Sequence, residues 1–418
     1  MSPHILCIGG EDHELRIPFI AALGERGLRV TSAGTGDAGP FERAGLAYRP
    51  FRFDRSINPA SDLAALKALK QMFVELRPDL VQSFDTKPNL FAPLAARSVP
   101  GLPVVRTING LGWIFSSRSP TALALIPVYW LLHRLASRST AMTIFQNADD
   151  QCFFERRRMA DVSKSQLIPG SGIDIARFEE AARTGPAPHL LRQELSLDDN
   201  EVVLTVTRIT RQKGIPTLLK AAARVHEQLP NVRFLLVGPR ESEGRSAVPR
   251  ADIDRHAPYL TALGRRDDIP SLLRMADVFA FPTEYREGVP RVLLEAAVAE
   301  LPIVTTDLPG CRDVVRDGWS GCLVPPRSPD ALAARIGDLL RDRVGARVMG
   351  RRAAEFVRRE FSLDKTVERY VATYAEVLKS ARSRPISRER RATARSGVDT
   401  TSDNARLNRI SVNAEAAR

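Results

Sequence analysis

The chain has 418 residues, 44% of them hydrophobic and 26% charged, and at roughly 150 residues per domain it holds two domains or slightly more. That composition excludes collagen-like, disulfide-scaffold and mostly disordered classes. Lys and Arg number 61 against 49 Asp and Glu, and the resulting +12 fits nucleic acid, an anionic membrane surface or a polyanionic small substrate without choosing among them.

From the N-terminus, short apolar runs alternate with amphipathic stretches. Residues 5–9, 28–33, 79–84, 103–107 and 142–146 read as strands, with helical periodicity at 15–26 and 62–76. Strands separated by helices imply a parallel sheet with crossover helices. Gly9 and Gly10 end the first strand, where glycine permits close backbone approach to a ligand or simply makes a tight turn. Residues 122–132 form an apolar run of 11, broken by Pro127 and flanked by Arg118, His133, Arg134 and Arg138. The run is too short to span a bilayer, which takes about 20 residues. It suits either a helix lying in a membrane interface or a helix buried in a large domain.

The small, Pro-rich stretch 181–189 reads as a linker, which divides the chain into a first domain over 1–180 and a second over 191–362. After it the alternation restarts, with strands predicted at 202–206, 232–237, 276–281, 302–305 and 322–324 and a helix at 215–228. Two Rossmann-like α/β domains facing a cleft are the expected architecture. A C-terminal helix is predicted over 363–382. Beyond it, residues 383–418 lack the apolar content to offset ordering entropy and read as a disordered basic tail. Nine Arg and four acidic residues in 381–418 put +5 of the net charge there and leave +7 in residues 1–380. The four cysteines stand far apart, with neither a zinc spacing nor a CxxC motif. Together with an N-terminus that runs directly into a strand, this points to a cytoplasmic protein.

The chemistry is written most clearly in residues 276–297. A strand ends in a Pro-containing loop and a helix begins near Pro290, a residue tolerated in the first helical turn. Glu287 precedes that helix, and Glu295 sits inside it, roughly 7–8 Å along its axis from the start. A helix N-terminus attracts anions, and a carboxylate on either side suits a diphosphate whose two ends carry hydroxyl-rich groups. Nucleotide diphosphate sugars have this shape. The cations come from residues 206–216, where a strand ends at Arg208 and the loop carries Arg211, Lys213 and Gly214 before a helix. Arg211 reads as solvated, whereas Arg208 and Lys213 read as diphosphate ligands at the carboxyl end of a strand.

These features resemble a GT-B-fold glycosyltransferase of family 4. The E-x7-E motif is Glu287 to Glu295, with Arg208 and Lys213 as the basic pair, and further matches lie at 145–150 (FQNADD), 168–178 (IPGSGIDIARF) and 301–326. The resemblance implies that Glu295 binds the ribose and Glu287 the hydroxyls of the transferred sugar. Arg208 and Lys213 would neutralise the leaving diphosphate, with Gly288, Val289 and Asn109 also on the donor side. It further implies a UDP-linked hexose or hexosamine donor, retention through same-face attack, and no metal or other cofactor. Asp252 and Asp254 imitate a DxD metal motif but lie outside this set.

In the first domain the chain departs from many relatives. Gln82 and Phe84 stand where histidines are common, and Asn109-Gly110 replaces a His-Gly pair, so the sugar's identity does not carry over. The segments 83–89 (SFDTKPN) and 109–112 (NGLG) resemble a branch that builds lipid-linked surface polysaccharides, which implies a polyprenyl-diphosphate-linked acceptor and peripheral association with the inner face of the membrane. Gly10, His13 and Lys87 are the candidate acceptor contacts. A soluble small-molecule acceptor, or a GT-B nucleotide-sugar epimerase, would use the same donor site. A nucleic-acid-binding protein would need exposed aromatics beside its charge, and 6% aromatic residues with three scattered Trp argue against it.

Overall fold

The computed structural model describes residues 2–54, 57–116, 119–197 and 199–383; Arg118 and the tail segment 384–418 lie outside the described residues. Two wholly parallel sheets organise the chain. The first holds β1 (His4–Ile8), β2 (Arg29–Gly34), β3 (Ala47–Pro50), β4 (Leu80–Phe84), β5 (Val104–Ile108), β6 (Met142–Phe145) and β7 (Ser165–Leu167). Their spatial order is β3-β2-β1-β4-β5-β6-β7. The second holds β8 (Glu201–Val206), β9 (Val232–Val237), β10 (Leu260–Gly264), β11 (Val278–Phe281), β12 (Ile303–Thr306) and β13 (Cys322–Val324), in the order β10-β9-β8-β11-β12-β13. Central strands such as β1, β4 and β11 are buried along their whole length because helices cover both faces of each sheet, which is why they read as continuous apolar runs. The architecture is GT-B, two Rossmann-like domains facing a cleft.

Strand order reverses between β1 and β4 in one sheet and between β8 and β11 in the other. Open parallel sheets bind ligands outside the carboxyl ends of strands at such switch points. The first crevice is therefore edged by Gly9, Gly10 and Asp85, and the second by Arg208 and the loop after Phe281.

The expected linker is not one. Residues 181–189 are the end of the helix Ile175–Thr184 and the start of the helix Pro188–Glu194. Phe178 and Leu191 are buried with Leu272 and Leu273 in the second domain's core. The Pro-rich composition marks a turn between two packed helices, so the second domain begins before residue 178. The C-terminal helix, Leu363–Ser383, crosses back. Val367, Tyr370, Tyr374 and Val377 pack with Ile5, Leu80 and Val105 of the first sheet, and the Tyr374 hydroxyl donates to Gln82 Oε1 at 3.0 Å. This helix thus completes the first domain's core.

The apolar run 122–132 lies within the helix Pro120–Arg138, whose start is capped by the Ser119 hydroxyl accepting from the Ala122 N–H at 3.2 Å. The helix is buried on one side only. Ala122, Tyr129 and Ala136 are buried on one face, while Leu123, Val128 and Leu131 remain 55%, 52% and 49% exposed on another. Among the described residues no helix is long and apolar enough to cross a membrane.

Candidate functional site

On the second-domain side, the turn Arg211–Lys213 follows β8 and ends at Gly214, whose φ of 70° lies in the left-handed region. A Cβ at Gly214 would stand 1.8 Å from the Pro282 carbonyl oxygen, so only glycine lets this turn lie against the end of β11. The close approach delivers Lys213 to Glu287, with Nζ 2.7 Å from Oε1. Thr283 Oγ1 donates to the same oxygen at 3.1 Å, and the ammonium lies 5.6 Å from the Phe281 ring centroid. The helix that follows is Arg291–Val298, with Pro290 as its N-cap rather than its first helical residue, and no side chain caps its first turn. The Leu293 N–H donates to the Pro290 carbonyl at 3.1 Å, and no side chain competes with an anion for the N–H groups ahead of it.

The other donor residues are placed less uniformly. Glu295 accepts from Arg291 Nε at 3.0 Å; burial pushes its carboxyl above the ordinary range and Arg291 opposes this. Arg208 stands just beyond β8 but points to Glu243, 3.0 Å away, and is not gathered with Lys213. Val289 is buried in the second domain's core, so only its backbone can face a donor.

The first-domain side is organised by Asp85, a residue the sequence reading passed over. It accepts from the Gly10 N–H at 2.8 Å, from Arg16 Nη2 at 2.7 Å and from Asn109 Nδ2 at 3.1 Å, which ties together the loops after β1, β4 and β5. Burial would raise the Asp85 carboxyl, yet Arg16 and the Gly10 N–H outweigh it and hold it below the usual carboxylate range. Its φ of 68° is uncommon for a residue other than glycine, a local feature that no periodicity signals.

The two sides meet around Glu287. A Cβ on Gly288 would lie 1.9 Å from the Asn109 carbonyl oxygen and 2.7 Å from Gln146 Oε1, so the backbones of the two domains touch there. Arg286 Nη2 reaches Asp150 Oδ1 of the first domain at 3.1 Å. A cavity of about 240 Å³ opens between the domains, and its lining includes Asp85, Asn109, Gly110, Arg286, Glu287 and Gly288.

Residues 200–342 match the family of group 1 glycosyl transferases, and residues 19–158 match the glycosyl transferase 4-like domain. The chain belongs to the group 1 glycosyl transferases. It is 26% identical over 375 residues to a Campylobacter jejuni N,N'-diacetylbacillosaminyl-diphospho-undecaprenol alpha-1,3-N-acetylgalactosaminyltransferase, covering 89% of this chain and 97% of that protein. It is also 26% identical to an Escherichia coli UDP-Gal:alpha-D-GlcNAc-diphosphoundecaprenol alpha-1,3-galactosyltransferase, over 78% of this chain and 82% of that one. Anabaena HepE, solved with UDP and glucose, shares the fold at a TM-score of 0.74 and 21% identity, over 90% of this chain and all of that one.

The acceptor residues expected of this glycosyltransferase are corrected by the structure. His13 is 1% exposed, packed against Phe41 and Phe84, and burial together with Arg16 pushes its pKa down to about 3. It is a neutral core residue and cannot serve as a cation for phosphate. Lys87 is buried with its Nζ 2.5 Å from Asp62 Oδ1, so its charge is already met inside the domain. The Gly10 N–H is engaged by Asp85. Asp252 and Asp254 pair with Arg255 and Arg250 on a short outer helix, and the described residues contain no metal-binding cluster of three His, Cys, Asp or Glu.

Proposed function

We propose that the chain is a retaining transferase that moves a hexose or hexosamine from a UDP-linked donor to a lipid-diphosphate-linked saccharide at the inner membrane surface. The observation that carries this reading is the Lys213–Glu287 pair, 2.7 Å apart, beside a helix whose first turn no side chain caps. The donor diphosphate sits at that terminus, with Lys213 and the helix amides meeting the charge that develops as it leaves. Arg208 joins them once it exchanges Glu243 for phosphate. Glu287 takes hydroxyls of the sugar, and Glu295 takes the ribose.

In the transfer, the bond from the anomeric carbon to the diphosphate oxygen breaks while a bond to the acceptor oxygen forms on the same face. The acceptor's hydroxyl proton passes to the departing phosphate oxygen, releasing UDP. Lys213 and the helix amides supply charge stabilisation that a metal would otherwise provide. The acceptor class rests on the Campylobacter and Escherichia relatives, whose names specify undecaprenol-diphosphate-linked substrates. Calorimetry with UDP, GDP and ADP tests the donor site directly. UDP is expected to bind in preference to the others, and an absence of UDP binding would overturn the reading.

The surface supports a lipid acceptor over a soluble one. Leu123, Val128 and Leu131 form an exposed apolar stripe on the helix Pro120–Arg138, and Arg134 and Arg138 follow at its C-terminal end. Arg134 stacks on Trp130, and Arg157 covers Phe153 at 3.8 Å, adding basic and aromatic groups nearby. Such a helix lies in the headgroup region with its apolar side down. Leu123→Glu combined with Leu131→Glu is expected to weaken binding to phosphatidylglycerol vesicles by about tenfold or more. Flotation that is unchanged by the double substitution would reject this surface as the docking face.

A further inference from the structure

The Arg286–Asp150 ion pair joins a residue of the interdomain cavity's lining to a buried carboxylate of the first domain, and the proposed donor contacts use neither side chain. Asp150 lies in the first turn of the helix Ala148–Arg156 and is fully buried. Its carboxylate is fixed from two sides. Asn147 Nδ2 donates to Oδ2 at 2.8 Å, and Arg286 Nη2 donates to Oδ1 at 3.1 Å from across the cleft. The Arg286 guanidinium also lies 6.0 Å from the Phe153 ring centroid. A buried carboxylate without its cation is strongly disfavoured, so this contact is made in one geometry or is lost.

The pair has a counterpart one residue beyond Glu287. Residue 286 is tied to the first domain through Asp150, and residue 288 touches the first domain through the Asn109 carbonyl and Gln146. Glu287 is the residue between. With its backbone held on both sides by the first domain, its carboxylate turns to Lys213 of the second domain. We infer that Arg286 and Asp150 form a latch across the cleft, and that Arg286 is a positioning residue that places Glu287 for sugar transfer only when the domains are closed. This inference rests on the transferase reading above. It explains why an ion pair stands beside Phe153, where an apolar contact would close the interface without fixing one register.

The groups facing Asp150 are Arg286, Asn147 and the neighbouring Asp149. Burial, opposed by Asn147 and Arg286, pushes the Asp150 carboxyl up to about 6. Above that pH the latch carries both charges, and below it the carboxyl is protonated and the pair is lost.

The test compares the wild-type chain with Arg286→Gln, Arg286→Lys, Asp150→Asn and the double variant Arg286→Gln/Asp150→Asn. Arg286→Gln and Asp150→Asn are each expected to lower kcat on the order of 100-fold at pH 8, the cost of an ångström-scale misplacement. UDP affinity should stay near the wild-type value in each, which also reports that the variants fold. Arg286→Lys should recover part of the loss, and the double variant should be no slower than either single one. The wild-type to Asp150→Asn ratio of kcat should fall towards one as the pH drops from 8 to 5, because a protonated Asp150 and an asparagine carry the same zero charge. Wild-type-like kcat in both single variants, additive losses, or a ratio independent of pH would each overturn the latch. Failure of the wild-type chain to bind UDP would overturn the transferase reading instead.

Discussion

Glu287→Ala is expected to lower kcat by on the order of 10² to 10³-fold while leaving UDP affinity within about threefold of the wild-type value. The asymmetry follows from where the carboxylate acts. In the proposed arrangement UDP ends at a diphosphate held by Lys213 and the helix amides, whereas Glu287 meets the sugar that UDP lacks. Hydrogen bonds to sugar hydroxyls strengthen as the anomeric carbon gains positive charge, so their loss falls on the transition state more than on binding. The substitution also leaves Lys213 without the partner that sets its position 2.7 Å away. Steady-state kinetics with a UDP-sugar, paired with calorimetry using UDP, separates the two quantities. Equal losses in kcat and UDP affinity would make Glu287 a nucleotide ligand, and unchanged turnover would remove it from the reaction.

Gly288→Ala is expected to lower kcat on the order of 100-fold by a different route. The added carbon would stand 1.9 Å from a backbone oxygen, that of Asn109, which cannot turn aside as a flexible side chain would. A carbon normally stays about 3.3 Å or more from a carbonyl oxygen, so the domains must part by more than about 1 Å. The proposed diphosphate and ribose contacts, Lys213, the helix amides and Glu295, lie in the second domain and survive this opening, so UDP affinity should hold while turnover falls. Small-angle scattering with UDP bound should give a larger radius of gyration than the wild-type chain under the same conditions. Wild-type turnover in this variant would mean that the contact between Gly288 and Asn109 is not part of the reacting arrangement.

Both predictions concern residues whose type was legible in the chain. The Glu287–Glu295 spacing, Lys213 before Gly214 and the strand–loop–helix order around them are local patterns, and local patterns survive in one dimension. The strands missed by their apolar content, β3, β7 and β10, are short or only partly buried edge elements, without the continuous apolar runs that mark a buried parallel strand. The Pro-rich stretch at 181–189 misled for a related reason. Composition reports a turn but not whether the helices on either side, with Phe178 and Leu191, already belong to a core.

His13 and Lys87 show the opposite limit. A titratable side chain in a loop after a strand, or at the first turn of a helix, looks the same in sequence whether it faces a ligand or the interior. Packing decided both, with Phe41 and Phe84 enclosing His13 and Asp62 neutralising Lys87. Asp85 was hidden because its role depends on three partners brought together by the sheet, namely Gly10, Arg16 and Asn109.

By itself the sequence determined two parallel α/β domains and set Glu287, Glu295 and Lys213 at the strand–loop–helix junctions of the second one, because periodicity and motif spacing act over a few turns of chain. Tertiary structure alone decided that Asp85 ties three loops together, that the C-terminal helix returns to the first domain, and that Arg286 meets Asp150. The last pair is separated by 136 positions, and only the way two sheets face each other brings such residues within 3.1 Å. Burial, charge pairing and the fit of one backbone against another are properties of that facing arrangement, which no stretch of the chain carries alone.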